Sequence, residues 1–222
     1  MTAADGARYR NSRVFSGEKW LVACLAAAVC MARPACADPV VVTVGTHSLI
    51  MKDNALSPAS RKFSFNVRSG EAPIEHQSQA PAPGSAGDPT LFGGTLVVYN
   101  GAGGSESFTI DLPAASWRVE GDTSVPGGYR YVFASTPPVW KVYVKGPKLS
   151  VRGGKAQWLY TLDEPSQGSI AVRLTLGTAV TYCSLALPRV SGSPPSSAAY
   201  DRVNKFQATR LQAAPDDCPP LP

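Results

Sequence analysis

From residue 38 onward, apolar and polar residues alternate with a period of two, and Gly- and Pro-rich clusters break the alternation repeatedly. Phe63, Phe65 and Val67 alternate with Ser64 and Asn66; Phe108, Ile110 and Leu112 alternate with Ser107, Thr109 and Asp111. Trp140, Val142 and Val144 alternate with Lys141, Tyr143 and Lys145; Ala156, Trp158 and Tyr160 alternate with Gln157 and Leu159. Ile170, Val172, Leu174 and Leu176 alternate with Ala171, Arg173 and Thr175. Successive side chains of a strand point to opposite faces, so each pattern buries one face and leaves the other at least partly wet. Further strands are predicted at Val40–Val44, Ser48–Lys52, Thr95–Tyr99, Tyr129–Phe133, Lys148–Arg152 and Val180–Leu185.

Turn chemistry separates these runs at Asn100–Gly104, Pro126–Gly128, Gly153–Gly154 and Asp163–Gly168. About ten short strands at this spacing predict an all-β chain, an antiparallel β-sandwich with a β-barrel as the alternative. No helical segments recur between strands, which disfavours a parallel α/β sheet. One short helix is predicted around Ser197–Lys205. The expected organisation is a segment 1–37, a sandwich domain 38–187 with a Pro/Gly-rich loop 70–93, and a Pro/Ser-rich tail 188–222 anchored by Tyr200, Val203 and Phe206.

Residues 1–37 read as a cleaved signal peptide. A polar, basic stretch carrying Arg8, Arg10, Arg13 and Lys19 precedes an apolar run Leu21–Ala32, and Ala35-Cys36-Ala37 supplies the small residues of a cleavage site. The run is too short to span a bilayer, which takes about 20 residues. Export past the membrane is thus the only membrane encounter expected. The whole chain has a formal net charge of +5, but residues 38–222 hold 16 Lys and Arg against 14 Asp and Glu, a net +2. On that arithmetic the basicity belongs largely to the leader and gives no support for a nucleic-acid partner. Cys24, Cys30 and Cys36 leave with the leader. Cys183 and Cys218 remain, and in an exported chain they pair most simply as one disulfide.

Candidate chemistry is sparse. A serine hydrolase needs a nucleophile and a base; Gly103-Gly104-Ser105-Glu106-Ser107 supplies Ser105 in a Gly-rich turn, and the histidines after residue 37 are His47 and His76. Ser105 with His47 is therefore the hydrolase pair, set against a plain hairpin turn and a surface histidine. A paired-carboxylate hydrolase has Asp111, Glu120, Asp122, Asp163 and Glu164 to draw on. Lys52-Asp53-Asn54 and Glu120-Gly121-Asp122 lack the spacing of a dedicated calcium loop. The histidine and cysteine set is too small for zinc, and no cofactor or metal is expected.

The aromatic residues suggest binding instead. Trp140 and Trp158 share a face with aliphatic neighbours and read as core. Tyr143 falls on the opposite, charged face between Lys141 and Lys145, and Tyr129 and Tyr131 alternate with Arg130. Exposed on adjacent strands, Tyr143, Tyr129 and Tyr131 would make a flat platform for sugar rings or a partner protein.

Thr95-Leu-Val-Val-Tyr-Asn100, Tyr160-Thr-Leu-Asp-Glu-Pro-Ser-Gln-Gly168, Val172-Arg-Leu-Thr-Leu-Gly177, Cys183 and Cys218-Pro-Pro220 together resemble a β-rich module of exported bacterial proteins with no assigned activity, over residues 48–220. The resemblance implies a secreted bacterial β-module and carries over no catalytic residue. The function expected is an exported, non-catalytic binding or surface module, secreted or periplasmic. Its ligand would be a glycan, an envelope component or an exported protein partner. The alternatives are a small exported hydrolase and a structural domain of an envelope assembly, the latter marked by an exposed strand edge.

Overall fold

Alternating strands each bury one face only when a second layer covers it, and the chain meets that need by passing repeatedly between two sheets. The computed structural model describes residues 39–68, 80–122, 125–133, 137–146, 148–190 and 198–222. The leader 1–37, the loop portion 70–79 with His76, and residues 191–197 of the tail lie outside the described residues.

One sheet has five strands in the order β1 (Val40–Thr43), β11 (Val180–Ala186), β10 (Ile170–Leu176), β4 (Gly94–Asn100), β5 (Ser107–Leu112). The other has eight: β12 (Asp201–Arg202), β13 (Lys205–Gln207), β2 (Ser48–Lys52), β3 (Lys62–Arg68), β9 (Lys148–Gly154), β8 (Val139–Lys145), β7 (Val125–Val132), β6 (Trp117–Asp122). Neither sheet closes on itself, so the architecture is a sandwich and not a barrel. Every pairing is antiparallel except β1 on β11, which is parallel.

The alternation explains the core. Leu96, Val98, Val172, Leu174 and Tyr182 from the five-stranded sheet join Leu49, Phe63, Phe65, Val142, Val151 and their neighbours from the eight-stranded sheet in one buried cluster. Burying each such side chain contributes roughly 1.5–3 kcal/mol. Among these, Trp158 stacks on Phe63 at 4.5 Å between ring centroids and meets Phe108 edge-on at 5.4 Å.

Four sequence expectations are corrected. Residues 156–160 form no strand. Trp158, Tyr160 and Leu162 do point inward, but the backbone here bonds outside any ladder: Leu162 N–H donates to Asp53 Oδ2 at 3.1 Å, Asn204 N–H to the Leu162 carbonyl at 2.7 Å, and Arg61 Nη1 to the Trp158 carbonyl at 2.8 Å. Pro126–Gly128 and Gly153–Gly154 are not turns but parts of β7 and β9. Gly154 has φ +130°, and an added Cβ would run into the Arg61 carbonyl, so this glycine serves a close backbone approach inside a strand. The predicted helix at 197–205 is, over its described part, the hairpin β12–β13; Asn204 at φ +66° sits in its two-residue turn, where a left-handed residue is required. Finally, a strand was not expected at β6, although Trp117 and Val119 alternate with Arg118 and Glu120.

Within the predicted loop, Pro89–Phe92 forms one helical turn capped by Asp88, whose carboxylate accepts from Thr90 N–H at 2.9 Å and Gly84 N–H at 2.7 Å. The tail is held firmly. Phe206 is buried in the core, whereas Val203 is exposed. Cys218 pairs with Cys183, the two Cα atoms lying 5.6 Å apart. The next carbonyl, Pro219, accepts from Tyr99 Oη at 2.6 Å and Arg173 Nη2 at 3.1 Å, so the tail crosses the outer face of the five-stranded sheet from β11 over β10 to β4.

Candidate functional site

The outer face of the eight-stranded sheet is where the expected binding residues separate. Lys141 and Lys145 are exposed and Tyr143 between them is half-buried. Tyr129 and Tyr131 are not on that face. They pair with Val144 and Val142 and lie buried in the core, while Arg130 between them pairs with Tyr143 and faces solvent. The charge decides the parity: turning β7 over would bury Arg130 unpaired, which costs far more than burying a tyrosine. The three-tyrosine platform is therefore replaced by Tyr143 alone. Trp140 also departs from expectation. It is the extra residue of a bulge between Val139 and Lys141, half-exposed with Lys155 Nζ 5.3 Å from its ring centroid, and Val139 takes the inward place.

The register of the face follows from tight turns. β8 and β9 are joined by Gly146 and Pro147, with Gly146 at φ +51°, which sets Lys145 directly opposite Lys148. Cross-strand rows can then be read in order. Arg202, Lys205, Lys52 and Lys62 form one row across four neighbouring strands. The next contains Ile50, Ser64, Arg152, Lys141 and Val132. A third, more polar, runs Ser48, Asn66, Ser150, Tyr143, Arg130, Arg118. Below it stand Lys148 and Lys145.

Ten of the 16 Lys and Arg of residues 38–222 thus share one face, among described side chains. The only carboxylate among them is Glu120, ion-paired to Arg130 at 2.7 Å. Six directly opposed pairs are cation against cation: Arg202–Lys205, Lys205–Lys52, Lys52–Lys62, Lys141–Arg152, Lys145–Lys148 and Arg118–Arg130. Like charges directly opposite destabilise a sheet. Within the polar row, Asn66 Nδ2 donates to Ser48 Oγ at 2.9 Å, Arg152 Nη1 donates to Ser64 Oγ in the row beside it, and Lys148 Nζ lies 5.4 Å from the Tyr143 ring centroid. The sequence reading found Tyr143, Lys141 and Lys145 but missed the other cations. Their signal was present: each occupies an outward position of a two-residue alternation.

The hydrolase residues are not assembled by any hydrogen bond. Ser105 is exposed in the loop joining β4 to β5, a loop shaped by Asn100, whose Oδ1 accepts from Ala102 N–H at 2.8 Å. His47 follows β1, its Nδ1 is buried without a partner, and its backbone is pinned to Asn66 and Leu211. Two carboxylates do approach each other: Glu106 from the β4–β5 loop and Glu164. Desolvation, then the Glu106 charge, raise the Glu164 carboxyl above its ordinary range. Gln167 donates from Nε2 to Glu164 at 3.4 Å and accepts from Tyr160 Oη at 2.9 Å. Nearby Asp201, buried, organises the 166–168 turn by accepting from Ser166 Oγ, Gln167 N–H and Gly168 N–H at 2.6, 2.7 and 2.9 Å. Asp163, at the start of the predicted turn, accepts from Thr161 Oγ1 at 3.3 Å.

Asp111 borders a cleft of about 240 Å³ beside Phe92 and Pro113. Asp53 is tied to Arg61 at 2.7 Å and to Leu162 N–H, a structural arrangement. The side chain of Asp122 lies outside the described residues. Among the described residues, no group of three or more His, Cys, Asp or Glu is placed to hold a metal ion, and no helix is long and apolar enough to cross a membrane. At the edge of the five-stranded sheet, Val40 and Val41 are exposed, and β1 lines a cleft of about 380 Å³ with Asp216, Asp217 and Cys218. Comparison with family models, curated proteins and solved structures finds no match to this chain.

Proposed function

We propose that the protein is an exported binding module whose ligand is a glycan, engaged on the outer face of the eight-stranded sheet around Tyr143. The observation that carries this reading is the setting of that ring: half-buried, flanked along β8 by exposed Lys141 and Lys145, and lying in a cross-strand row with Ser48, Asn66 and Ser150 on one side and Arg130 and Arg118 on the other. A tyrosine so placed offers an apolar ring to a sugar face, while the half-buried Ser48 and Asn66 in its row offer partners to sugar hydroxyls. The disulfide favours an oxidising compartment, and the leader-like residues 1–37 and the resemblance to exported bacterial β-modules point the same way. The test is retention of the purified protein on insoluble polysaccharides and peptidoglycan, beside Tyr143→Ala. Retention on one polymer that the variant loses supports the reading; no retention on any polymer refutes it.

The exposed edge of β1 favours a second reading, a structural role in an envelope assembly. Val40 and Val44 turn their N–H groups to β11, which leaves those of Val41 and Thr43 facing outward for another strand. Val41→Pro removes one of these donors without touching the β11 ladder. Loss of a co-eluting complex in that variant would support an assembly role, and an unchanged elution profile would refute edge pairing.

A further inference from the structure

We infer that the ligand of this face is an acidic polysaccharide, one that carries negative charge along its repeating units, and that it lies along the row Ser48–Asn66–Ser150–Tyr143–Arg130–Arg118. The inference rests on the glycan-binding reading above and adds the charge of the ligand, its track and the residues that hold it.

Three observations carry it. The first is the concentration of charge: among the described side chains, ten cations and one carboxylate stand on a single face of a chain whose residues 38–222 are nearly neutral. The second is the arrangement. The row that suits sugar hydroxyls lies between Arg152 and Lys141 on one side and Lys148 and Lys145 on the other. At a strand spacing of about 4.8 Å it crosses six strands and extends about 24 Å, so a polymer laid across the strands meets cations on both flanks where it crosses β9 and β8, and Arg130 and Arg118 at one end of the track. The third is the set of directly opposed cation pairs that border or lie on this track, Lys141–Arg152, Lys145–Lys148 and Arg118–Arg130. Such pairs oppose folding, and an anionic polymer between them relieves the repulsion by neutralising both members.

The same face fits other polyanions less well. Single-stranded nucleic acid is held by successive bases stacked on several aromatic rings, whereas Tyr143 is the one aromatic in these rows. A broad sheet face does not enter the groove of a duplex, as a helix or two-stranded ribbon does. Anchoring in a membrane interface requires apolar side chains to bury; the large exposed apolar residue in these rows is Val132.

The experiment measures binding of the purified protein to polygalacturonate, dextran sulfate, neutral dextran, an oligothymidylate and phosphatidylglycerol vesicles, each at 50 and 200 mM NaCl. The expected result is binding to both acidic polysaccharides, weakened at least tenfold by the higher salt, as counterion release requires of a many-cation contact. Lys141→Gln/Lys145→Gln/Lys148→Gln should lose at least tenfold more with an unchanged circular dichroism spectrum. Tyr143→Ala should lose affinity while retaining the salt dependence. Equal binding to neutral dextran, insensitive to salt and lost in Tyr143→Ala, would overturn the acidic ligand and leave the glycan-binding module standing. Tighter binding to the oligothymidylate or the vesicles than to either acidic polysaccharide would overturn the inference in favour of those ligands. No binding to any polysaccharide would overturn both this inference and the reading it rests on. The salt dependence is read on the unmodified protein, so the test does not depend on a variant folding.

Discussion

Replacing Lys52 by glutamate should make the protein more stable. Lys52 is exposed at the end of β2, directly opposite Lys62 on β3 and Lys205 on β13. Lys205 is not free to swing away, since its Nζ donates to the Ala199 carbonyl at 3.2 Å and lies 5.2 Å from the Tyr200 ring centroid. A directly opposed pair contributes roughly 0.2–1 kcal/mol, favourable for unlike charges and unfavourable for like ones. Lys52→Glu reverses the sign of two pairs. Solvent exposure keeps each at the low end of that range, which leaves a net gain of about 1 kcal/mol. For a chain of this size that is an increase in Tm of about 2–4 °C. Lys52→Gln removes the repulsion without adding attraction and should deliver about half. The assay is thermal unfolding followed by circular dichroism at 10 and 150 mM NaCl. Screening lengths of about 30 and 8 Å predict that the gain is largest at low salt, and that the Tm of the unmodified protein itself rises between the two. A decrease in Tm for Lys52→Glu, or a gain indifferent to salt, would show that the opposed cations do not repel one another as their register requires.

Other consequences concern the loops, the tail and alkaline pH. Asp201→Ala leaves the buried Gln167 amide without its acceptor and takes one acceptor from Ser166 Oγ and from the Gly168 amide; at roughly 1–3 kcal/mol for a buried group left unsatisfied, urea unfolding should report a loss of about 2 kcal/mol, and a loss below 1 would deny Asp201 its role in the turn. Opening the Cys183–Cys218 bond, which closes a separation of 35 residues, should cost about 3–4 kcal/mol by loop entropy; in Cys183→Ser/Cys218→Ser, amide exchange should also rise around Tyr99 and Arg173 as the tail lifts. Burial, then the charge of Asp88, push the Tyr129 hydroxyl up to about 12 from an ordinary 10.0. The folded state resists its ionisation, so the stability this group contributes is intact below pH 10 and lost as pH rises from there toward 12. Tyr129→Phe should flatten that part of the pH–stability curve, and an unchanged curve would assign the alkaline loss to other groups.

Much of the fold was legible because a period of two is a strong signal wherever one face is buried. Ser48–Lys52 and Ile170–Leu176 match their predicted limits, and both flank turns carrying glycine or polar residues. The failures occur where alternation and hydrogen bonding part company. Residues 156–160 alternate as a strand would, yet the Trp158 carbonyl takes the Arg61 guanidinium and its N–H bonds the Lys155 carbonyl, while Leu162 just beyond bonds the Asp53 carboxylate and the Asn204 amide, which no local pattern encodes. Gly153–Gly154 reads as a turn because glycine usually marks one; here it lets β9 pass close to Arg61. Trp140 was misplaced by one residue because a bulge shifts the inward position to Val139, and bulges are set by pairing between strands rather than by either strand alone.

The candidate site was legible in its residues but not in its rows. Counting charges over residues 38–222 gives a small net value because the acidic residues are spent elsewhere: Asp88 and Asp201 organise loops, Asp53 holds Arg61, and Glu106 and Glu164 face each other between loops. Cations instead recur at outward positions of β2, β3, β6, β7, β8, β9, β12 and β13, and register alone brings them into opposed pairs. A sheet optimised only for folding would place glutamates opposite those lysines. The same register therefore predicts two opposite effects of one change: lowering the positive charge of this face raises stability and lowers affinity for an acidic polymer. Variants that gain both, or lose both, would sever the link between the strained rows and binding.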